Sequence, residues 1–211
     1  MNNKELTKQA HNAIAKDYYK QYKDDKSDLT YFDEFLNICK KNILDLGCGM
    51  GHYSNYMYNK GFTVTGIDFS EEMIKIAKKN YKNIEFIVSD ICNLEFLGNK
   101  KYDGIVMAYL IQHLSKSEVK DLFYDLKKYL KTDSKLLIFL REGKNVLEEV
   151  EPMNPKFNYT INEYTKEEIT ELLNDFGWEL IKIEKKEYIL DPNSLAPNTL
   201  VVIATNGSLN N

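Results

Sequence analysis

The feature that most constrains the fold is a short apolar run that ends in three glycines, each separated from the next by one residue. The run Ile-Leu-Asp-Leu at 43–46 leads directly into Gly47, Gly49 and Gly51, and an amphipathic segment follows. This order predicts a buried strand, a tight turn and the start of a helix. Glycine has no Cβ, so the backbone of the turn can approach a ligand closely. The sequence therefore predicts that a small molecule binds at the carboxyl end of the first strand.

The residues around the turn indicate which kind of small molecule to expect. A dinucleotide-binding fingerprint places its third glycine at position 52, where this chain has His52. Asp45 would repel a pyrophosphate, but its carboxylate suits a ligand that carries an ammonium group and a sulfonium. A second apolar run, at 64–68, ends in Asp68, which is placed to accept hydrogen bonds from both hydroxyls of a ribose. The charges therefore favour S-adenosylmethionine over NAD.

Two stretches carry a resemblance to a known family. Residues 43–51, Ile-Leu-Asp-Leu-Gly-Cys-Gly-Met-Gly, and residues 66–73, Gly-Ile-Asp-Phe-Ser-Glu-Glu-Met, resemble the class I S-adenosylmethionine-dependent methyltransferases. Within that family the chain is similar to the single-domain branch that mostly modifies small molecules, and the resemblance covers about residues 12–205. It implies a Rossmann-like methyltransferase fold with a seven-stranded, mostly parallel sheet and an antiparallel last strand.

The pattern along the rest of the chain predicts a doubly wound α/β fold, because strands separated by helices form right-handed crossovers. The expected helices are 4–22, 29–39, 70–80, 116–131 and 165–176, and the expected strands are 43–46, 64–68, 84–88, 102–108, 135–140, 178–187 and 198–205. The last two strands have no helix between them and must pair antiparallel. Residues 142–161 show no clear period and contain two prolines, which predicts a long loop.

One methyltransferase domain is expected over residues 1–211. Within it we expect a helical lid at 1–40, a cofactor-binding core at 41–141, and a substrate-side segment at 142–205 that ends in the antiparallel strands. The turn-rich stretch 191–197 is expected to join those strands, and 206–211 resembles a frayed tail.

Composition narrows the class of protein. There is no apolar run near 18 residues and the N-terminal segment is polar, so neither a membrane span nor a signal peptide is expected. The three cysteines show neither a metal-binding spacing nor a disulfide framework, so we expect no metal and a cytoplasmic location. The net charge of −4 makes nucleic acid an improbable partner. A small-molecule acceptor is expected, bound to a monomer or a homodimer.

The resemblance also implies the cofactor contacts. Asp68 would hold the ribose, Phe69 and Met73 would flank the adenine, Asp90 would accept a hydrogen bond from the adenine amino group, and Ile91 would pack beside the ring. His52 is a candidate contact of the methionine moiety. The full predicted set of cofactor-binding residues is Asp45, Gly47, Cys48, Gly49, Gly51, Asp68, Phe69, Met73, Asp90, Ile91 and Ala108.

Three residues are candidates for the chemistry. His113 follows the fourth strand, where methyl and acceptor meet in the resembled enzymes, and it is either a general base or a histidine satisfied by local hydrogen bonds. Tyr18 lies either in the roof of the cleft or on a helix that merely covers a sheet edge. Arg141 is the only arginine among 28 lysines and arginines. It would either orient an anionic acceptor through its planar fork or pair with a structural acid such as Glu142 or Glu163.

These features favour an enzyme that moves a methyl group from S-adenosylmethionine to a small molecule by in-line displacement. Alignment in a desolvated cleft can suffice for such a reaction, so a general base is optional. The alternatives are a methyltransferase that acts on RNA or protein, and a non-catalytic protein that binds S-adenosylmethionine on the same fold. NAD-dependent oxidoreduction is disfavoured by Asp45 and His52.

Overall fold

The computed structural model describes residues 3–186 and 198–207. The turn predicted at 191–197 lies outside these residues, as does most of the predicted tail. Six α-helices and nine strands are found in the described part of the chain. In chain order they are α1 (Asn3–Tyr22), α2 (Leu29–Ile38), β1 (Asn42–Leu46), α3 (His52–Asn59), β2 (Thr63–Asp68), α4 (Glu71–Asn80), β3 (Glu85–Val88), β4 (Tyr102–Ala108), α5 (Lys116–Leu126), β5 (Leu130–Arg141), β6 (Val146–Val150), β7 (Asn158–Asn162), α6 (Lys166–Asp175), β8 (Trp178–Lys185) and β9 (Thr199–Asn206).

Seven of the strands form one sheet in the order β3-β2-β1-β4-β5-β9-β8. β1 pairs parallel with β2 and β4, β2 with β3, and β4 with β5, whereas β9 runs antiparallel to both β5 and β8. The predicted doubly wound, seven-stranded sheet with an antiparallel last strand is therefore confirmed. The carboxyl ends of β1, β2 and β4 meet at one edge of the sheet, which is the edge that binds ligands in open α/β folds.

The two faces of the sheet bury different side chains because neighbouring residues of a strand point to opposite sides. Leu44 and Leu46 belong to one apolar cluster, which the buried face of α5 completes. Ile43 belongs to the other cluster, which includes Phe32 and Phe35 of α2. Helices thus cover both faces, and the strands are apolar on both sides, as parallel strands in such folds are.

Local capping signals begin the helices where the sequence predicts. The Ser70 hydroxyl accepts from the backbone N–H of Met73 at the start of α4. Thr165 and Glu168 form the predicted capping box at the start of α6, in which each side chain bonds the backbone of the other. Each capping residue satisfies N–H groups that have no partner inside the helix.

Two predictions about the second half of the chain are wrong. The helix expected at 116–131 ends at Leu126, and after one 3-10 turn the chain enters β5 at Leu130, five residues before the predicted strand. The physical reason is that Leu130 already pairs with Tyr102 of β4. The segment expected to be a long loop contains an antiparallel hairpin of β6 and β7, which the two prolines interrupt only between its strands.

α1 lies across the carboxyl edge of the sheet. Thr7, Ala10, Ile14 and Ala15 are its buried residues. The helix is fixed to α4 by Lys8, whose Nζ lies 2.6 Å from Glu71 Oε1, and to β7 by the N–H of Thr160, which donates to Asn3 Oδ1 at 2.8 Å. Neither α1 nor any other helix in the described ranges is sufficiently long and apolar to cross a membrane.

Candidate active site

A cavity lies at the carboxyl ends of β1, β2 and β4, beneath α1. The space inside it amounts to about 1070 Å³, part of which is open solvent. Its lining comes from α1, the glycine turn, the residues after β2 and β3, and the segment that follows β4. The structure therefore brings together most of the residues that the sequence predicts for the site.

The glycine turn is built by backbone conformations that other residues rarely adopt. Gly47, Gly49 and Gly51 all have positive φ, of 69°, 52° and 79°. A Cβ at Gly51 would lie 2.6 Å from the ring of Phe86, so any other residue there requires this ring to shift. At Gly49 nothing lies within 4 Å of the Cβ position, which leaves open space against the cavity. The turn can therefore cradle a ligand.

Asp68 connects this turn to the end of β2. It is 6% exposed, and its Oδ2 accepts from the N–H of Gly49 at 2.9 Å while its Oδ1 accepts from the N–H of Ser70 at 2.9 Å. Burial raises the pKa of the Asp68 carboxyl, although nearby His11 and the backbone donors oppose this. A carboxylate has about four lone-pair sites. Asp68 can therefore hold the turn and still accept hydrogen bonds from ribose hydroxyls.

Asp45 lies in the wall of the same cavity and is 1% exposed. Burial raises the pKa of its carboxyl to about 7, although the hydrogen bond from the Ser54 hydroxyl partly offsets the effect. A cationic ligand group nearby would stabilise the ionised form and lower this pKa. The position thus suits the ammonium group that the sequence assigns to it.

The end of the cavity predicted to hold adenine contains Phe69, Met73, Asp90 and Ile91. Asp90 forms an ion pair with Lys4 of α1, whose Nζ lies 2.9 Å from Asp90 Oδ2. An adenine amino group would share this carboxylate with the lysine. The adenine contacts stay predictions, and the Lys4–Asp90 pair shows that α1 extends to this part of the cavity.

The other end of the cavity is aromatic. Ala108, Tyr18, His52, Tyr109 and His113 all line it. Tyr109 has a φ of 58°. A side chain in this left-handed conformation costs about 1–3 kcal/mol, a strain that clusters at functional sites. The segment after β4 is therefore held in a fixed and unfavourable shape beside the cavity.

A buried polar cluster supports this aromatic wall. The hydroxyls of Tyr53 and Tyr109 both donate to Asp28 Oδ2, at 2.5 and 3.0 Å, and Lys186 forms an ion pair with Asp28 Oδ1. Asp28 is 2% and Lys186 7% exposed. Sequence reasoning missed this cluster, because Asp28 lies in a charged break between helices and Lys186 follows β8, with no local signal that joins them.

Burial keeps two histidines of the cavity, His52 and His113, neutral near pH 7. Burial, together with the neighbouring His11, lowers the pKa of His113 to about 3, and burial lowers the pKa of His52 to about 4. The Nδ1 atom of each is buried and has no hydrogen-bond partner among the described residues. A group with so low a pKa is a weak proton acceptor at neutral pH, which argues against His113 as general base.

Arg141 lies elsewhere. Its Nη1 lies 2.5 Å from Glu149 Oε1 and its Nε 3.6 Å from Glu163 Oε1, and Arg141 is not part of the cavity lining. This placement favours the structural pairing with Glu163 over the orientation of an anionic acceptor. The cavity wall instead includes His11, which sequence reasoning missed. His11 lies seven residues before Tyr18, on the same helical face, and that spacing was the available signal.

No group of three or more histidine, cysteine or acidic side chains in residues 3–186 and 198–207 is arranged to hold a metal ion.

Comparison with known proteins agrees with this geometry. Residues 43–133 match a family model described as a methyltransferase domain. The chain is 33% identical over 144 residues to malonyl-[acyl-carrier protein] O-methyltransferase 2 of Ilyobacter polytropus, which covers 64% of this chain and 53% of that protein. It is 28% identical over 172 residues to the ubiquinone biosynthesis O-methyltransferase of Rickettsia canadensis, which covers 75% of this chain and 71% of that protein.

Among solved structures, a similar fold is found in the 1,6-didemethyltoxoflavin-N1-methyltransferase of Burkholderia thailandensis, whose structure contains 1,6-didemethyltoxoflavin and S-adenosylhomocysteine. The TM-score is 0.74 at 16% identity, with 98% of this chain and 91% of that chain covered. The chain spans about half the length, or less, of the first curated relatives that it matches. The sheet order, the glycine turn and the matched model agree with one another: residues 43–133 form a methyltransferase domain, and the chain has a Rossmann-like methyltransferase fold.

Proposed function

We propose that this protein transfers the methyl group of S-adenosylmethionine to a small-molecule acceptor. The observation that carries the proposal is the contact between Asp68 and the glycine turn, in which the Gly49 N–H donates to Asp68 Oδ2 at 2.9 Å. This contact holds an acceptor for ribose hydroxyls beside a backbone cradle, on the wall of one cavity. Asp45 adds a carboxyl for an ammonium group on the same wall.

The residues of the chain have a limited but specific part in the reaction. When bound, S-adenosylmethionine supplies an electrophilic methyl group on a good leaving group. Asp68 and the glycine turn would orient it, and the aromatic wall with Tyr18 and Tyr109 would align the acceptor opposite. α1 would exclude water from the reacting centre. Because alignment supplies much of the rate enhancement in such a displacement, the neutral His113 need not remove a proton.

A small acceptor is supported by the way in which the cavity is covered. α1 lines the cavity, and its Asn3 is bonded to Thr160 of the β6–β7 hairpin, which fixes α1 in place. One structural neighbour contains a small heterocycle, 1,6-didemethyltoxoflavin. A macromolecular acceptor would need an open or basic surface, whereas this chain has a net charge of −4. The methyltransferase acting on RNA or protein is therefore the second candidate, and the non-catalytic binding protein is the third.

The domain boundaries, the oligomeric state and the cellular location are proposed as the sequence predicts them. We propose one domain over residues 1–211 with the lid at 1–40, and a monomer or homodimer. The three cysteines are free thiols, which supports a reducing, cytoplasmic location.

The cofactor assignment is tested by calorimetric titration with S-adenosylhomocysteine and NAD. Asp68→Ala should weaken S-adenosylhomocysteine about tenfold to a hundredfold, because a hydrogen bond to a charged group contributes about 1.5–3 kcal/mol. Glu85→Ala is the matched control, since Glu85 pairs with Lys100 outside the cavity. Unchanged affinity in a folded Asp68→Ala variant would remove the ribose role, and preference for NAD would overturn the cofactor assignment.

Catalysis is tested separately, by transfer of a labelled methyl group into a mixture of small metabolites. A labelled small-molecule product would show that the protein is an enzyme and would exclude the non-catalytic binding role. Label in RNA or protein, with none in small molecules, would favour the second candidate.

A further inference from the structure

The ion pair between Lys4 and Asp90 is part of the cavity wall. Lys4 lies in the first turn of α1 and Asp90 follows β3, and both residues line the cavity. Lys4 Nζ lies 2.9 Å from Asp90 Oδ2, and the two side chains are still 29% and 45% exposed. Because neither side chain is closed off, a ligand in the cavity can contact both members of the pair at once.

Both members of the pair have hydrogen-bonding capacity left. An ammonium group has three N–H donors, and the bond to Asp90 uses one of them. The other ion-pair partner of Lys4 in the described residues is Glu118, whose Oε1 is 3.5 Å from Nζ, too far for a strong hydrogen bond. On Asp90, Oδ2 accepts from Lys4 and Oδ1 accepts from the N–H of Cys92, so lone-pair sites remain on both oxygens.

The pair is ionised at neutral pH. Burial by itself would lower the pKa of the Lys4 ammonium, but the hydrogen bond to Asp90 holds it above the usual value. Burial would likewise raise the pKa of the Asp90 carboxyl, but the hydrogen bond from Lys4 holds it below the usual value. The wall therefore presents a charged donor directly beside a charged acceptor.

The surroundings of the pair suit a flat ligand with a polar edge. Phe69, Met73 and Ile91 line the same end of the cavity and supply apolar surface. Adenine is flat, and its amino donor lies between the ring-nitrogen acceptors N1 and N7. A carboxylate that accepts from the amino group and an ammonium that donates to a neighbouring ring nitrogen would together match this edge. The resemblance assigns the first contact to Asp90, and it assigns nothing to Lys4.

We infer that Lys4 is a cofactor-binding residue, whose ammonium donates to the adenine ring nitrogen beside the amino group that Asp90 holds. This inference rests on the proposed function, since it takes S-adenosylmethionine as the ligand, and it deepens that proposal by naming a contact from α1. The helix that covers the cavity thus takes part in recognising the cofactor. The opposite account is that Lys4 only competes with adenine for Asp90, and it predicts the opposite change in affinity.

The variants are Lys4→Met and, as matched control, Lys8→Met. Lys8 lies one turn later on α1 and its Nζ is 2.6 Å from Glu71 Oε1, but it is not part of the cavity lining. Each variant removes one ion pair that attaches α1, so a general loosening of the helix would affect both alike. Thermal unfolding of the full-length variants checks that both remain folded.

Affinity for S-adenosylhomocysteine is measured by calorimetry. Lys4→Met should weaken binding about tenfold to a hundredfold, because a hydrogen bond from a charged group is lost. Lys8→Met should stay within about twofold of the wild-type protein.

Ligand analogues identify the contact itself. The 1-deaza and 7-deaza analogues of S-adenosylhomocysteine replace a ring nitrogen beside the amino group by C–H, and the 3-deaza analogue does so on the far edge of adenine. One of the first two should bind the wild-type protein about tenfold more weakly than S-adenosylhomocysteine does. That loss should disappear in Lys4→Met and persist in Lys8→Met, whereas the effect of the 3-deaza change should be the same in all three proteins.

S-inosylhomocysteine, in which a carbonyl replaces the amino group, tests whether adenine lies at Asp90. It should bind the wild-type protein about tenfold or more weakly than S-adenosylhomocysteine does, because the carboxylate would face another acceptor.

The outcomes separate this inference from the proposed function. Weaker binding in Lys4→Met together with loss of one deaza effect supports the inference. Unchanged or tighter binding of S-adenosylhomocysteine by Lys4→Met, deaza effects that persist in this variant, or equal affinity for S-inosylhomocysteine overturns it while the proposed function stands. Failure of the wild-type protein to bind S-adenosylhomocysteine at all would instead remove the proposed function.

Discussion

The buried ion pair between Lys186 and Asp28 gives the sharpest test of how the aromatic wall is held. Lys186→Met nearly keeps the length of the side chain but removes its charge. The Asp28 carboxylate then stays buried without a cation, bonded to the hydroxyls of Tyr53 and Tyr109. Breaking one partner of a buried pair costs about 3–5 kcal/mol. In a chain of this size each kcal/mol shifts the melting temperature by about 2–4 °C, so the expected loss is about 6–20 °C.

The assay is thermal and urea unfolding followed by tryptophan fluorescence, because the single tryptophan, Trp178, is 2% exposed and reports on the core. Lys185→Met is the control. Lys185 is the neighbouring residue, its side chain is 51% exposed, and its ion pair with Glu142 spans 2.9 Å. An exposed pair of this kind contributes about 1 kcal/mol or less.

Adding Asp28→Asn to Lys186→Met should recover part of the loss, because it removes the uncompensated charge. The double variant is expected to be more stable than the sum of the two single effects by about 0.5–3 kcal/mol. Wild-type stability in Lys186→Met would refute the reasoning. So would additivity of the two single effects within about 0.5 kcal/mol, since it would show that the two groups do not interact.

Three further predictions concern Gly51, Asp45 and Arg141. Gly51→Ala should lower the free energy of unfolding by about 1–3 kcal/mol more than Gly61→Ala does. Both glycines have positive φ, but only at Gly51 would a Cβ meet Phe86, at 2.6 Å, and equal losses in thermal unfolding would show that Phe86 simply moves. Burial raises the pKa of Asp45 to about 7, whereas an unfolded aspartate titrates near 4. The folded state therefore binds the Asp45 proton more tightly than the unfolded state. The contribution of this proton to the free energy of unfolding of the unliganded protein is full below about pH 4 and is lost as the pH rises towards 7. Urea titrations across that range should show a slope that is reduced in Asp45→Asn, and an unchanged slope would contradict the assignment. Arg141→Lys should lower the free energy of unfolding by about 1.5–3 kcal/mol and leave S-adenosylhomocysteine affinity unchanged, because Glu149 and Glu163 lose the planar fork. Wild-type stability with an increased KM for the acceptor would restore an acceptor-orienting role.

The correct predictions, such as the helix caps and the glycine turn, depend on residues that lie close together along the chain. The caps at Ser70 and Thr165 act across three residues. The glycine turn and Asp68 each follow an apolar strand, so their meeting at one edge of the sheet follows from the parallel arrangement. The order of the strands could be predicted because the alternation of strands and helices leaves few topologies.

What the sequence could not show depends on residues far apart along the chain. Asp28 and Lys186 are separated by 158 positions, and nothing near either residue indicates the other. The hairpin was missed because its pairing partner, rather than its own pattern, makes it a strand. The rarity of arginine drew attention to Arg141, but composition cannot tell a ligand contact from an ion pair.

The position of β9 between β5 and β8 has a consequence for biosynthesis. β8 is translated before β9 but cannot join the sheet until β9 arrives, because β9 is its only pairing partner within residues 3–186 and 198–207. Until residues 199–206 leave the ribosome, β5 therefore has an open edge whose backbone groups are unpaired and whose side chains are apolar. A nascent chain that stalls before Thr199 would expose this edge and should be captured by chaperones or aggregate.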